Sequence, residues 1–157
     1  MAEATLTYRE RYVEWGAYQA ALYDGIVEVL DALRDQGHRL ATATSKGEGP
    51  TLQMLEHFGL TERFEVIGAA SMDASAITKE AVLERTLARL GGPTPADCWM
   101  VGDRRYDVTG AARFDIACVG VTWGYGTAEE LRDAGAAHVV ERPDELPPLV
   151  GSPRVAP

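Results

Sequence analysis

The stretch Cys98-Trp99-Met100-Val101-Gly102-Asp103-Arg104-Arg105-Tyr106-Asp107-Val108-Thr109-Gly110-Ala111-Ala112 does most to restrict what this chain can fold into. Trp99 to Val101 is apolar without interruption, the pattern of a strand buried on both faces, and Gly-Asp ends it abruptly where the backbone turns toward a helix. Strands of that kind belong to parallel sheets covered by helices above and below. In such sheets the carboxyl ends of the strands form the ligand crevice, so Asp103 and Asp107 stand where two carboxylates can hold a divalent cation. The same residues also suit plainer roles, Asp103 as a helix cap and Asp107 as a first-turn acid matched to the helix dipole.

The remainder of the chain repeats this alternation of periods. Residues 5–22, with Tyr8, Tyr12, Trp15 and Leu22, read as a helix ended by the Tyr23-Asp24-Gly25 turn. A second helix covers 26–36, with Ile26, Val29, Leu30 and Leu33 at helical spacing and Gly37 as its stop. Arg39-Leu40-Ala41-Thr42-Ala43 is a short strand that gives way to the loop Thr44-Ser45-Lys46-Gly47-Glu48-Gly49, and a helix follows Pro50 to about His57. A strand over 64–68, a small polar loop over 69–75 and a helix over 79–90 capped by Thr78 come next, with Val82, Leu83, Leu87 and Leu90 toward the core. Beyond the Asp107 helix lie a strand over 116–121, a helix opened by Thr127 and Glu130 in a capping-box pattern, an edge strand over 137–140 and a helical turn over 143–146. Strands alternating with helices in this way form βα units joined by right-handed crossovers. The expected class is α/β, a three-layer Rossmann-like parallel sheet flanked by helices.

Composition narrows the setting. With 157 residues and 46% hydrophobic content the chain can bury a real core as one globular domain. A net charge of −9 argues against nucleic acid or an anionic membrane as partner. No apolar run approaches the ~18 residues of a membrane span and no basic-then-apolar leader opens the sequence, which points to a cytoplasmic protein. Cys98 and Cys118 lack metal-ligand spacing and read as buried thiols, and His38, His57 and His138 sit on unrelated elements.

The chemistry gathers at strand ends. Thr44 and Ser45 hydroxyls, the N–H groups of a glycine-containing turn and the start of the next helix form a phosphate cradle, although Ser or Thr also caps helices in most βα units. Lys79 occupies the first turn of its helix, a poor place for a cation, so it faces solvent or serves an anion bound at the same end. Four strand ends deliver Thr44, the loop before Lys79, Asp103 and the Trp123-Gly124-Tyr125-Gly126 loop to one edge of the sheet. A hydroxyl, a lysine and paired carboxylates are what a phosphoryl site with magnesium needs.

On these motifs, Leu40-Ala41-Thr42-Ala43-Thr44-Ser45-Lys46, Lys79 at the head of its helix, Val101 to Val108 and the Trp123 loop before Glu129-Glu130-Leu131, the chain resembles the haloacid dehalogenase-like phosphatases, and within them the phosphoglycolate phosphatase-like group. The resemblance runs from about Tyr8 to Leu149. It implies Mg2+ as cofactor, a small phosphorylated metabolite as substrate, and Thr44, Ser45, Lys46 and Lys79 as phosphate-binding residues. Thr44 and Lys79 take catalytic roles in this reading, Asp103 ligates the metal, and Asp107 supports the metal or Lys79.

Members of that family begin with an apolar strand ending in Asp-x-Asp-Gly-Thr, whose first aspartate attacks phosphorus, and no such motif occurs here. Neither Asp24 nor Asp73 ends an apolar strand with a second aspartate two residues on. The expected organisation is therefore residues 1–22 as a remnant of the family's helical cap, 23–150 as the α/β core with its first central strand missing, and 151–157 as a frayed tail. Such a chain alone hydrolyses phosphomonoesters poorly or not at all. The open sheet could take a strand from a partner or from a second copy in a homodimer, and the alternative is a non-catalytic phosphate-binding relative.

Overall fold

The computed structural model describes residues 20–71 and 78–151. The helix expected over 5–22, the loop carrying Asp73 and the tail after Gly151 fall wholly or mostly outside these residues. Within them the elements alternate: α1 (Ile26–Asp35), β1 (Ala41–Gly47), α2 (Glu48–His57), β2 (Val66–Ala70), α3 (Lys79–Arg89), β3 (Trp99–Gly102), α4 (Arg105–Ala112), β4 (Ala117–Val121), α5 (Ala128–Asp133), β5 (His138–Val140) and α6 (Leu146–Val150). Gly25 and Gly37, both at positive φ, bracket α1 and turn the chain where a side chain would be strained. Thr78 caps α3 by accepting a hydrogen bond from the Ala81 N–H at 3.2 Å.

All pairing is parallel. β1 pairs with β2, and β3, β4 and β5 pair in that order with β5 at the edge. Along β4 successive side chains go to opposite faces. Val119 and Val121 join Val29 and Leu33 of α1, Val140 and Leu146, whereas Cys118 joins Leu83 of α3, Val108 and Ala111 of α4, and Leu131 of α5. Helices thus cover both faces of the sheet, as the uninterrupted apolar strands require.

Two boundaries differ from the sequence reading. β1 continues through Thr44, Ser45 and Lys46 to Gly47, because Gly47 pairs with Ala70 after a shift of register, and α2 starts directly at Glu48. β2 lies two residues later than its apolar pattern suggested, since Ala69 and Ala70 are buried against β1 and α3. Polar composition marked the end of β1 as loop, and long-range pairing overrides that local signal.

Among the described residues no strand lies between β1 and β3. The consequence is visible in burial: β2 and β4 are buried at four of their five positions, while β1 and β3, on either side of the opening, have no fully buried residue. Val101, an apolar residue in the middle of a core strand, is 41% exposed. A slot of about 430 Å³ separates the two strands, walled by Leu33 and Leu146 on one face and by Leu83 and Leu87 on the other.

Two measurements check this packing. Leu131 is fully buried and packs within 3.0 Å of where a side chain on Gly120 would begin, so Leu131→Ala should lower the free energy of urea unfolding by about 3 kcal/mol. Cys118 is 3% exposed, and burial pushes its thiol up to about 12, so it should resist Ellman's reagent at pH 8. No more than one of the two thiols should react in the native chain and both after denaturation; two reactive native thiols contradict the packing.

Candidate functional site at the carboxyl ends of β1 and β3

The site begins with the first residue of α3. Lys79 places a positive charge at a helix N-terminus, which the helix dipole disfavours, so the ammonium must find compensation elsewhere. It donates to the Ala43 carbonyl at the end of β1, 2.5 Å away, and forms an ion pair with Asp107 Oδ1 at 2.7 Å. The two side chains are 13% and 9% exposed, so the pair lies largely out of water, where losing one partner strands the other. Asp107 Oδ2 accepts from the Arg104 N–H at 3.1 Å, which fixes the turn from β3 into α4. One carboxylate therefore joins the strand end, the helix start and the lysine.

Glycines make that approach feasible. A methyl group on Gly102 would overlap the Asp107 side chain, and one on Gly110 would stand 2.8 Å from Lys79 Cγ. In the sequence Gly102 read only as a turn signal, and nothing in the local pattern of Gly110 pointed to a lysine on another helix.

Asp103 is fixed from the other side. Its Oδ2 accepts from the Tyr125 N–H at 2.7 Å, and a methyl on either Gly124 or Gly126 would run into Asp103. The glycine-rich loop after β4 thus lies directly on Asp103. Trp123 packs into the core beneath, and Tyr125 is 89% exposed at the rim. Asp103 does not cap α4; Arg104 takes the N-cap position.

Glu130 departs from its expected role. Thr127 Oγ1 accepts from the Glu130 N–H at 3.1 Å, as a capping box requires, but the Glu130 carboxylate reaches across to the Arg105 N–H and the Arg104 guanidinium, both at 3.0 Å. The Arg105 N–H first, and then Arg104, hold this carboxyl below the usual range. The ion pair is solvent-facing and its effect fades as falling pH protonates Glu130. Arg105 also lies over the Tyr106 ring, 4.9 Å from its centroid, and donates to the phenol oxygen at 2.9 Å.

Thr44 follows the carbonyl that holds Lys79, and its Oγ1 accepts from the Lys46 N–H at 3.1 Å. Ser45 is exposed and Lys46 half-buried. Thr44, Lys79, Asp103 and Asp107 therefore all belong to the carboxyl-end side of β1 and β3, while Asp24 precedes α1, in the turn at its start. Among the described residues no group of three or more His, Cys, Asp or Glu side chains could hold a metal. Asp107 has both oxygens engaged and Asp103 has one, so Asp103 fits a hard cation as a single ligand where six or more oxygens are needed.

The two aspartates should separate on mutation. Asp107→Ala leaves a mostly buried lysine unpaired and should destabilise the chain by about 3 kcal/mol in urea melts. Asp103→Ala releases an N–H on exposed Tyr125, which water can satisfy, and should lie within about 1 kcal/mol of wild type. Equal losses at both positions contradict the assignment of Asp107 to the framework and Asp103 to the open side.

The chain as a whole has relatives. A family model for haloacid dehalogenase-like hydrolases matches residues 2–121. The tyrosine-protein kinase PtkA of Mycobacterium tuberculosis is 47% identical over 127 residues, covering 81% of this chain and 43% of that protein. A 5'-nucleotidase of Pseudomonas aeruginosa is 38% identical over 136 residues, covering 87% of this chain and 61% of its own length. Among solved structures, a predicted phosphatase from Clostridium acetobutylicum superimposes with a TM-score of 0.87 at 39% identity, over 91% of this chain and 66% of the other. The chain thus spans from under half to about two thirds of these relatives. With the matched region covering most of its length and the sheet superimposing on theirs, the chain belongs to the haloacid dehalogenase-like hydrolases.

Proposed function

We propose that the chain is the phosphate-handling part of a magnesium-dependent phosphatase acting on a small phosphomonoester of the phosphoglycolate kind. The observation that carries this reading is the Lys79 ammonium, held nearly out of water between the Ala43 carbonyl and Asp107 at the open end of the sheet. An ammonium has three donors and, among the described residues, two are taken. The third suits an anion, and the adjoining Thr44, Ser45 and Lys46 add a hydroxyl, backbone N–H groups and a cation.

In this reading Thr44 and Lys79 bind the phosphoryl oxygens and neutralise their charge, with Ser45 and Lys46 closing the cradle, while Asp107 orients Lys79. Asp103 contributes one ligand to Mg2+, which when bound would draw charge from the phosphoryl oxygens. The relatives' names, a kinase, a nucleotidase and a phosphatase, share phosphoryl transfer, and phosphoglycolate phosphatases also appear among the relatives, one from Agrobacterium fabrum at 35% identity. Neither cysteine forms a disulfide, which suits a reducing cytoplasm, and among the described residues no helix is long and apolar enough to cross a membrane.

Asp103, which follows β3, is assigned to the metal in this reading and has no second aspartate two residues on, so the 157-residue chain alone should bind phosphate without turning over esters. Titration calorimetry with inorganic phosphate should register binding that Lys79→Met weakens by about tenfold or more, a charge-assisted hydrogen bond's worth. With p-nitrophenyl phosphate and Mg2+, turnover should stay at background, since losing an essential nucleophile removes many powers of ten in rate. Turnover abolished by Asp103→Asn refutes the inactivity, and phosphate binding indifferent to Lys79 refutes the site.

A further inference from the structure

We propose that Glu130 is a positioning residue for the metal ligand: it holds the Arg104 guanidinium away from Asp103 and so keeps the second Asp103 oxygen open to a divalent cation. The choice of a cation rests on the phosphatase reading, whereas the contest for Arg104 stands on contacts alone. Arg104 has two acidic neighbours. Its Nε donates to Glu130 Oε1 at 3.0 Å, and the charge of Asp103 also reaches the guanidinium. The loop after β4 shows how close the two acids' fields lie. A methyl on Gly124 would strike the Asp103 carboxylate, and one on Gly126 would meet the Asp103 carbonyl and stand 3.5 Å from Arg104 Cδ. Asp103 and Arg104 therefore flank the same three loop residues, and the bonds beyond Cδ decide which acid the guanidinium meets.

Asp103 gives one oxygen to the Tyr125 N–H, and the other has no partner among the described residues. An arginine next to a half-free carboxylate ordinarily takes it, since a charge-assisted pair is the strongest hydrogen bond open to either group. Here Glu130 outcompetes Asp103 because it is anchored twice. Its backbone N–H is fixed by Thr127 Oγ1, and its Oε1 accepts from the Arg105 N–H at 3.0 Å, a free donor at the start of α4 where an anion is favoured. That N–H first, and Arg104 second, keep the carboxyl ionised below the usual range. Without Glu130 the guanidinium has one acid left. Paired with Asp103, it would occupy the free oxygen and repel a cation there.

Variants at Glu130 and Mn2+ alone test this in the intact chain. In a crystal of Glu130→Ala the Arg104 guanidinium should lie within hydrogen-bond distance of Asp103. Mn2+ should broaden the Gly102, Asp103 and Arg104 amide signals of the wild-type chain in NMR spectra. Glu130→Ala should need about threefold more Mn2+ for the same broadening, within the range of one solvent-facing ion pair. Glu130→Gln keeps an acceptor for the Arg105 N–H but not the charge, so it should show the same exchange and the same loss. Removing the arginine as well, in Glu130→Ala/Arg104→Ala, should return the Mn2+ response to wild type.

Arg104 still turned away from Asp103 in the Glu130→Ala crystal overturns the proposal. So does a loss that Arg104→Ala leaves unrepaired or that Glu130→Gln does not share, which makes Glu130 a cap on α4 and nothing more. Broadening that is absent from wild type, or that Asp103→Asn leaves unchanged, overturns the metal reading instead, while a guanidinium found on Asp103 still establishes Glu130 as the holder of Arg104.

Discussion

The Lys79–Asp107 ion pair is the interaction on which the rest of this structure depends. β1 and β3 share no hydrogen bonds, and at their carboxyl ends a single lysine spans the opening by touching a carbonyl on β1 and a carboxylate on α4. The pair overrides an unfavourable helix dipole at the start of α3 and fixes the turn after β3 through the second oxygen of Asp107. Position and charge are thus set by the same contacts. A cation held rigidly in a low-dielectric, strand-end crevice interacts with an anion more strongly than one on a flexible surface chain.

The opening in the sheet explains features that otherwise look unrelated. Half-exposed Val101, the shallow burial of β1 and the apolar slot all go with the lack, among the described residues, of a strand between β1 and β3. A parallel strand buried on both faces gains from ladder partners on each side, and with one side empty it retains the packing of its faces but leaves backbone groups to water. The Val119 and Leu131 cores on either face, which share Leu33, Leu146 and Leu83 with the walls of the slot, and the Glu130 link from α5 to α4 hold β3, β4 and β5 together.

Much of this was legible in the sequence wherever local pattern and tertiary demand agree. The apolar run into Gly102-Asp103, the Thr78 cap with Lys79 behind it, and the edge position of residues 138–140 each rest on spacing that only one kind of element satisfies. Legibility failed where a distant partner decides. The Thr44-Ser45-Lys46-Gly47 stretch looks like a loop, and its strand character comes from pairing with Ala70. Glu130 looks like half of a capping box, and its carboxylate instead meets groups 25 and 26 residues away. Gly102, Gly124 and Gly126 look like turn residues, and their lack of a side chain serves the close approach of Asp107 and Asp103. Such approaches leave no periodic trace in a single sequence.

A crystal of this chain soaked in tungstate, a heavy tetrahedral phosphate mimic, tests the account most directly, because anomalous scattering locates the anion without presupposing turnover. The account predicts density at the open end of the slot, within hydrogen-bond reach of Lys79 Nζ and Thr44. Tungstate bound only at exposed arginines such as Arg105, with that position empty at saturating concentration, would contradict it.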